Sequence, residues 1–167
     1  ACLCSFWHRL SGVRGGNPQP RSGSVAVTAE FSLPIRVYIE DTDAGGIVYY
    51  VNYLKYLERA RTELMRTFGL ERAAVSDAGW NFVVSDVSLS YKEPARLDDQ
   101  LYATALISAV GGATVTFHQT VRRDDAVLVA GGIQIACIDR ETGRPTRLAA
   151  NLRQQIEATL AATEEVT

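Results

Sequence analysis

Apolar and polar residues alternate from Phe31 to Ile39, and this period of two predicts a half-buried β-strand. The apolar positions are Leu33, Ile35, Val37 and Ile39. Pro34 has no backbone N–H donor, so its position near the start of the run suggests either an edge strand or an irregular entry into the strand. The run Asp-Thr-Asp-Ala-Gly-Gly at residues 41–46 then predicts a turn.

The apolar period lengthens to three or four residues from about Val48 to Phe68, which predicts an amphipathic helix of about five turns. Its predicted buried face carries Tyr50, Leu54, Leu57, Arg61, Leu64 and Phe68, widened by Tyr53, Ala60 and Thr67. Gly69 suits the left-handed conformation that ends many helices. A helix of this length needs a large apolar partner surface.

Four strand patterns follow the helix and supply that surface. They cover residues 81–93, 100–110, 113–123 and 126–138, separated by turn-forming Pro, Gly and Asp residues. Gly131 and Gly132 interrupt the last strand and predict a bulge or a close backbone contact. A shorter helix is predicted over residues 148–162. The order of strand, helix and four strands predicts an α+β fold, in which a curved five-stranded antiparallel sheet wraps around the long helix.

Composition divides the chain of 167 residues into one folded domain and two terminal segments. Residues 1–29 are predicted to form a flexible arm, because the chain is rich in Gly, Ser, Pro and Arg from residue 11 onward. The folded domain is predicted to span residues 30–162. Residues 163–167 are predicted to form a short C-terminal tail.

The distribution of charge argues against nucleic-acid binding. The net charge is −2 and the arm holds no acidic residue, so the domain is acidic and is not expected to bind nucleic acid.

The cysteines and the apolar runs exclude further classes of protein. Three cysteines do not suggest a disulfide framework, and a reducing cytoplasm is expected. Cys2, Cys4 and His8 match no zinc spacing, and Cys137 is expected in the core. No apolar run reaches the ~18–20 residues of a membrane span, so no membrane insertion is expected.

The candidate chemistry lies where the acidic turn meets the long helix. The first N–H groups of a helix have no internal acceptor and lie at the positive end of its dipole. A carboxylate from Asp41 or Asp43 beside them forms a workable site for hydrolysing an activated acyl group. The residues alone favour the alternative that both aspartates close an Asx-type turn. A calcium loop is rejected, because Gly45 and Asn52 stand where that loop needs an oxygen ligand and a Glu.

Four blocks of sequence carry a resemblance to a known family. They are Arg36-Val-Tyr-Ile-Glu-Asp-Thr-Asp-Ala-Gly-Gly-Ile-Val-Tyr, Asn52-Tyr-Leu-Lys, Glu58-Arg-Ala-Arg-Thr-Glu and Tyr91-Lys-Glu-Pro-Ala-Arg-Leu-Asp-Asp. The chain resembles the hotdog-fold acyl-CoA thioesterases over residues 31–148, about 70% of its length. The similarity extends to the branch encoded beside the Tol-Pal envelope genes and to the 4-hydroxybenzoyl-CoA thioesterase branch.

The resemblance implies that Asp43 is the catalytic carboxylate, and it leaves two roles open, nucleophile or general base. It also implies that the backbone N–H of Tyr50 polarises the thioester carbonyl. The expected substrate-binding residues are Gly45, Gly46, Ile47, Val48 and Asn52. Asn52 either caps the helix or supports the site, and support of the site is favoured. Many Tol-Pal-associated relatives carry histidine at the position of Tyr50, so an Asp–His pair does not carry over to this chain.

Other polar residues have structural interpretations. Glu58 and Glu63 are alternative carboxylates, because another hotdog branch uses an acid on this helix. Pairing of these glutamates with helix arginines at helical spacing is favoured. His118 is expected at the surface or at an interface. Arg96 and Asp98 are expected to fix a turn.

The sequence therefore predicts a hotdog-fold acyl-CoA thioesterase that releases a free carboxylic acid and CoA, with no metal or bound cofactor. Acyl-CoA is the expected substrate, with acyl carrier protein as a further candidate, and a homodimer or homotetramer is expected. The alternative is a non-catalytic hotdog module that binds acyl-CoA or acyl carrier protein. The sequence leaves the acyl chain preference open.

Overall fold

The computed structural model describes residues 30–70 and 79–164, with side chains described up to residue 161. Five strands and two α-helices occur in this part of the chain. They are β1 (Phe31–Arg36), α1 (Tyr50–Thr67), β2 (Trp80–Tyr91), β3 (Gln100–Val110), β4 (Thr114–Arg123), β5 (Ala126–Asp139) and α2 (Ala150–Glu164), with a 3₁₀ turn at Ile39–Asp41. The predicted arm, with Cys2, Cys4 and His8, lies outside the described residues, as does the end of the predicted tail.

The five strands form one antiparallel sheet in the order β1-β3-β4-β5-β2. Both β1 and β2 are edges of this sheet, and the edge position predicted for β1 from Pro34 is confirmed. Helix α1 packs across β1, β3 and β4. The predicted α+β architecture, one long helix against a five-stranded antiparallel sheet, is therefore confirmed.

The core lies between α1 and the sheet. The helix contributes the buried side chains of Tyr53, Tyr56, Leu57, Ala60, Leu64 and Met65, and the sheet contributes Leu101, Phe117, Val121 and Ile133 among others. Burying a large apolar side chain stabilises the fold by about 1.5–3 kcal/mol relative to leaving it exposed. Cys137 is buried as expected, and burial raises the pKa of its thiol. Among the helices of the described ranges, none is long and apolar enough to cross a membrane.

Ile39 was predicted in the core and is instead 73% exposed. Strand β1 ends at Arg36, earlier than the alternation predicts. The N–H of Val37 then donates to the carbonyl of Asp99 at 3.0 Å, and the chain enters the 3₁₀ turn. The period of two no longer applies in that turn, so Ile39 points to solvent.

Two predicted core positions of α1 are also exposed. Tyr50 begins the helix and is 57% exposed, with its ring against Tyr49 and Tyr91. Thr67 ends the helix, is exposed, and donates its hydroxyl to the carbonyl of Leu64. Both residues lie at helix ends, where the helical period continues but the sheet no longer covers the side chain.

The glycine pair of β5 makes a close backbone contact. A Cβ atom at Gly131 would lie 1.9 Å from the carbonyl oxygen of Ser88 on β2. The β4–β5 pairing runs through Gly131 and Gly132 without a register shift. Of the two predicted alternatives, the close contact is therefore confirmed and the bulge is wrong. Gly69 has φ of 79° and ends α1 as predicted.

Candidate active site

The acidic turn is held in one conformation in front of α1. The N–H of Asp43 donates to the carbonyl of Ile47 at 2.9 Å, and the N–H of Gly46 donates to the carbonyl of Asp43 at 3.0 Å. Gly46 has φ of 72°, which glycine adopts without a steric cost. Thr42 and Val48 pair across the base of the turn. Asp43 therefore lies directly opposite Ile47.

Asp41 is a structural residue of this turn, as expected. Its Oδ2 accepts a hydrogen bond from the N–H of Tyr38 at 2.9 Å. Its carbonyl accepts two more, from the N–H of Tyr49 at 2.9 Å and from the Asn52 side chain at 2.8 Å. Asn52 is buried and is not the helix cap, because Tyr49 occupies that position. The Asn52 side chain thus fixes the turn to α1.

Asp43 differs from Asp41 because its side chain faces solvent. Its Oδ1 accepts a hydrogen bond from the N–H of Gly45 at 2.7 Å, which is the Asx-type contact that the residues alone favour. Its Oδ2 receives no hydrogen bond from the described residues. The contact with Gly45 orients the carboxylate, and one oxygen remains available to an incoming group.

The first N–H groups of α1 point out of the helix. Among the described residues, the backbone N–H groups of Tyr50 and Val51 have no hydrogen-bond acceptor. These groups carry the positive end of the helix dipole. A carbonyl oxygen that gains negative charge is stabilised at this position.

The loop after β2 forms the other side of the site. The N–H of Val48 donates to the carbonyl of Ala95 at 2.9 Å, and the N–H of Ala95 donates to the Tyr53 hydroxyl at 2.8 Å. The N–H of Arg96 donates to Asp99 Oδ2 at 2.9 Å, and Asp98 has φ of 66°. The turn predicted around Arg96 and Asp98 is therefore confirmed, and it ties the loop to both α1 and the acidic turn.

A cavity of about 340 Å³ opens between these parts. Three predicted site residues line it: Ile47, Val48 and Tyr50. Asp43, Gly45 and Gly46 lie in the adjoining turn, and Asn52 lies buried behind it. The structure thus brings the cavity, the unbonded N–H groups and the acidic turn to the same end of α1.

Sequence reasoning missed one wall of the cavity. This wall comprises Tyr53, Tyr91, Lys92, Glu93 and Pro94. The ring of Tyr91 lies edge-on to those of Tyr50 and Tyr53, with centroids 6.3 and 5.9 Å away. The block that begins Tyr91-Lys-Glu-Pro already carries part of the family resemblance, so Tyr91, Lys92, Glu93 and Pro94 could have been included among the candidate residues.

Tyr49 adds a hydroxyl group to the site. The neighbouring Tyr50 side chain raises the pKa of Tyr49, and partial desolvation and then the Asp43 carboxylate make smaller contributions in the same direction. The Tyr49 O–H group lies within electrostatic range of Asp43.

The alternative carboxylates of α1 have other partners. Glu63 pairs with Arg66 as predicted. Glu58 instead accepts a hydrogen bond from Thr62 Oγ1 at 2.8 Å. His118 is exposed on β4, as expected. Within residues 30–70 and 79–164, no group of three or more His, Cys, Asp or Glu side chains could hold a metal ion.

Comparison of the sequence with known proteins identifies the family of this chain. The family model described as the thioesterase superfamily matches residues 45–130, just over half of the chain. The acyl-CoA thioesterase YbgC of Haemophilus influenzae is 40% identical over 116 residues, which cover 69% of this chain and 85% of that protein. The acyl-CoA thioester hydrolase YbgC of Escherichia coli O157:H7 is 37% identical over 72% of this chain and 91% of its own length.

Solved structures share the fold. A probable thioesterase from Bartonella henselae has 34% identity and a TM-score of 0.65 over 72% of this chain and 99% of that one. The DHNA-CoA thioesterase of Staphylococcus aureus has a TM-score of 0.74 over 83% of this chain and 95% of that one, and at 20% identity it shows the fold alone. The architecture is therefore the hotdog fold, and the chain belongs to the thioesterase superfamily.

Proposed function

We propose that this thioester hydrolase cleaves an acyl-CoA to a free carboxylic acid and CoA, with Asp43 as the catalytic carboxylate. The observation that carries the proposal is the arrangement at the start of α1. Within the part of the chain that the structure describes, an exposed carboxylate with one unbonded oxygen lies in the turn that leads into a helix whose first two N–H groups have no acceptor. The choice of acyl-CoA as substrate is supported by the names of the Haemophilus and Escherichia relatives.

The proposed chemistry uses groups of this chain alone. The thioester oxygen accepts a hydrogen bond from the N–H of Tyr50, which stabilises the negative charge that develops during attack. Asp43 either attacks the carbonyl carbon, giving an anhydride that water hydrolyses, or removes a proton from an attacking water. In both routes the C–S bond breaks and CoA leaves as a thiolate. The thiolate is protonated by solvent or, when Asp43 acts as the base, by the proton that Asp43 removed from water, which restores the carboxylate. Gly45, Gly46, Ile47 and Val48 would border the thioester, with Asn52 holding the turn.

We also propose that the chain assembles as at least a dimer through β2. This strand has twelve residues, pairs with β5 on one side, and exposes Val83, Val84 and Val87. A long, apolar sheet edge readily pairs with another strand. A second copy at this edge would lie beside Tyr91 of the cavity wall, so it would help to enclose the substrate. Light scattering that shows a fully active monomer at micromolar concentration would contradict this assembly.

The test of function is free thiol release from a panel of acyl-CoAs that vary in chain length and include aromatic acyl groups, together with one acyl carrier protein thioester. We expect turnover of at least one CoA thioester by the wild type and a loss of at least about 100-fold in kcat for Asp43→Asn. If no thioester is hydrolysed although acyl-CoA binds, the chain is a binding module and the proposal is wrong.

A further inference from the structure

Arg123 connects the end of β4 to the loop after β2, which comprises residues 92–99 and is referred to below as the 92–99 loop. Its Nη1 donates to Asp99 Oδ2 at 2.8 Å and to the carbonyl of Pro94 at 3.4 Å. Its Nη2 lies 3.6 Å from Glu93 Oε2. One guanidinium therefore contacts both the beginning and the end of the 92–99 loop.

The contacts of Arg123 contribute little to global stability. Its side chain is 32% exposed, and those of Asp99 and Glu93 are 23% and 55% exposed. Ion pairs this close to solvent stabilise a fold only weakly, because water screens them. A planar guanidinium with five N–H donors nevertheless fixes several acceptors in one geometry, which a single ammonium charge cannot do. The arrangement therefore suits alignment of the loop better than stabilisation of the fold.

The other side of the 92–99 loop contacts the segment that joins the acidic turn to α1. The carbonyl of Ala95 accepts a hydrogen bond from the N–H of Val48 at 2.9 Å. Arg96 pairs with Ile47 as an isolated antiparallel bridge. Ala95 is fully buried, so its contact with Val48 is shielded from water. The loop thus fixes Ile47 and Val48 through the backbone.

Asp99 couples Arg123 to this backbone contact. Its Oδ2 accepts a hydrogen bond from the N–H of Arg96 at 2.9 Å as well as from the guanidinium of Arg123. The N–H of Asp99 donates in turn to the carbonyl of Arg96 at 3.1 Å. Loss of Arg123 would remove one of the two groups that hold this carboxylate, and Arg96 would be held less firmly against Ile47.

Both proposed catalytic groups depend on the segment that the loop fixes. The carbonyl of Ile47 accepts a hydrogen bond from the N–H of Asp43 at 2.9 Å, and Tyr50 follows Val48 by two residues. A shift of the loop would therefore move the Asp43 carboxylate relative to the Tyr50 N–H. Misplacement of reacting groups by ~1 Å lowers a rate by up to about 100-fold.

We propose that Arg123 is a positioning residue, which aligns the Asp43 carboxylate with the Tyr50 N–H through the 92–99 loop. This inference rests on the proposed function for the identity of the two catalytic groups. Arg123 is not among the residues that line the cavity, so it acts on the alignment of the reacting groups and not through contact with the substrate. Its loss should lower kcat and leave KM almost unchanged.

The first test measures kcat and KM for thiol release from the best acyl-CoA of the panel, at a temperature where every variant is folded. We expect Arg123→Met to lower kcat at least about tenfold, with KM within about threefold of wild type. Arg123→Lys keeps a charge but not the planar fork, so it should recover only part of this loss. Arg153→Met is the matched control, since Arg153 also forms an exposed ion pair, with Glu157 on α2, and it should keep wild-type kcat. Urea unfolding should show small and similar shifts of the midpoint for both methionine variants.

A double-mutant cycle separates alignment from stability. Asp99→Asn removes the charge that Arg123 binds and should lower kcat at least about threefold. In the Arg123→Met background the same change should lower kcat by less than about twofold further, because both variants release the same loop. If Arg123→Met does not fold, Arg123→Lys and Asp99→Asn form the same cycle. Additive losses in kcat would overturn the inference.

Hydrogen exchange of the Val48 amide provides a readout that needs no turnover. We expect its exchange to be at least about tenfold faster in Arg123→Met and unchanged in Arg153→Met, because the loop that accepts its hydrogen bond opens locally. Wild-type kcat in folded Arg123→Met, a rise in KM with unchanged kcat, or unchanged exchange at Val48 would each overturn the inference. If the wild type hydrolyses no acyl-CoA, the proposed function fails instead, and exchange at Val48 still tests whether Arg123 holds the loop.

Discussion

The two halves of the sheet differ in what covers them. Across β1, β3 and β4 the helix α1 seals the face, and side chains such as Leu57 and Phe117 are fully buried. Along β2 the same face is open among the described residues, since Val84 and Val87 are 51% and 42% exposed, whereas Ile133 and Ile135 of the neighbouring β5 are only 2% and 4% exposed. The buried area of the covered part stabilises the fold, whereas β2 supplies an edge that no other described strand pairs with. The acidic turn lies at the start of α1.

The largest expected effect is on the covered half. Leu57→Ala should lower the free energy of unfolding by about 2–5 kcal/mol, because the fully buried side chain leaves a cavity. Leu54→Ala is the matched control on the open side of the same helix, and its partly exposed side chain should cost about 1 kcal/mol or less. Urea unfolding measures both values. Equal losses would contradict the division of the sheet into two halves.

The next effect concerns the end of α1. Tyr50→Pro removes the backbone N–H and should lower kcat by about 100-fold or more, since loss of one such donor costs about 2.7–4 kcal/mol. Tyr50→Phe keeps the N–H and should cost less than about tenfold. Circular dichroism controls for damage to the helix. If Tyr50→Phe is as inactive as Tyr50→Pro, the phenol takes part in the chemistry and the backbone account fails.

The pairing of β2 with β5 depends on Gly131. Gly131→Ala should destabilise the fold by about 1–3 kcal/mol, because its Cβ would collide with the Ser88 carbonyl oxygen. Gly132→Ala is the control, since its Cβ would meet only the Phe117 carbonyl oxygen at 3.9 Å. The Gly132→Ala substitution should therefore change the free energy of unfolding by about 0.5 kcal/mol or less. Indistinguishable unfolding midpoints for the two variants would refute the close contact.

The smallest effect is a pH dependence of the loop that walls the cavity. The pKa of Asp99 is lowered in the folded protein. Desolvation alone would raise this pKa, but hydrogen bonds from the Arg96 N–H and the Arg123 guanidinium outweigh that effect. A lowered folded pKa contributes stability above the unfolded value of ~3.9, and this stability is lost as pH falls through the folded pKa. Asp99→Asn should therefore cost about 1 kcal/mol or less at pH 7 and almost nothing below both pKa values, by urea unfolding. An equal cost at both ends of the pH range would contradict this assignment.

Local patterns made most of the fold predictable. The periods of two and of three to four residues depend only on neighbouring residues, and β3 was predicted at its observed bounds, Gln100–Val110. Exposure at the ends of elements was not predictable in the same way. Ile39 and Tyr50 continue an apolar period, but the surface that would cover them has already ended.

The site was predictable only where its residues are close in sequence. Asp43, Asp41 and the start of α1 lie within one turn, so the sequence places them together. Tyr91 donates its hydroxyl to the carbonyl of Tyr50 from a position 41 residues away, and Gln119 contacts Arg61 across 58 residues. Those contacts depend on how the sheet folds back over the helix, which periodicity does not specify.

The most direct test compares the two aspartates of the turn. Asp43→Asn and Asp41→Asn each exchange one carboxylate oxygen for an amide, and each keeps an oxygen that can accept the backbone hydrogen bond seen here. The measurement is kcat for thiol release from the best acyl-CoA, with unfolding curves to show that both variants fold. The account predicts a loss of at least about 100-fold for Asp43→Asn and less than about threefold for Asp41→Asn. Near-normal turnover by folded Asp43→Asn, or equal losses in both variants, would contradict it.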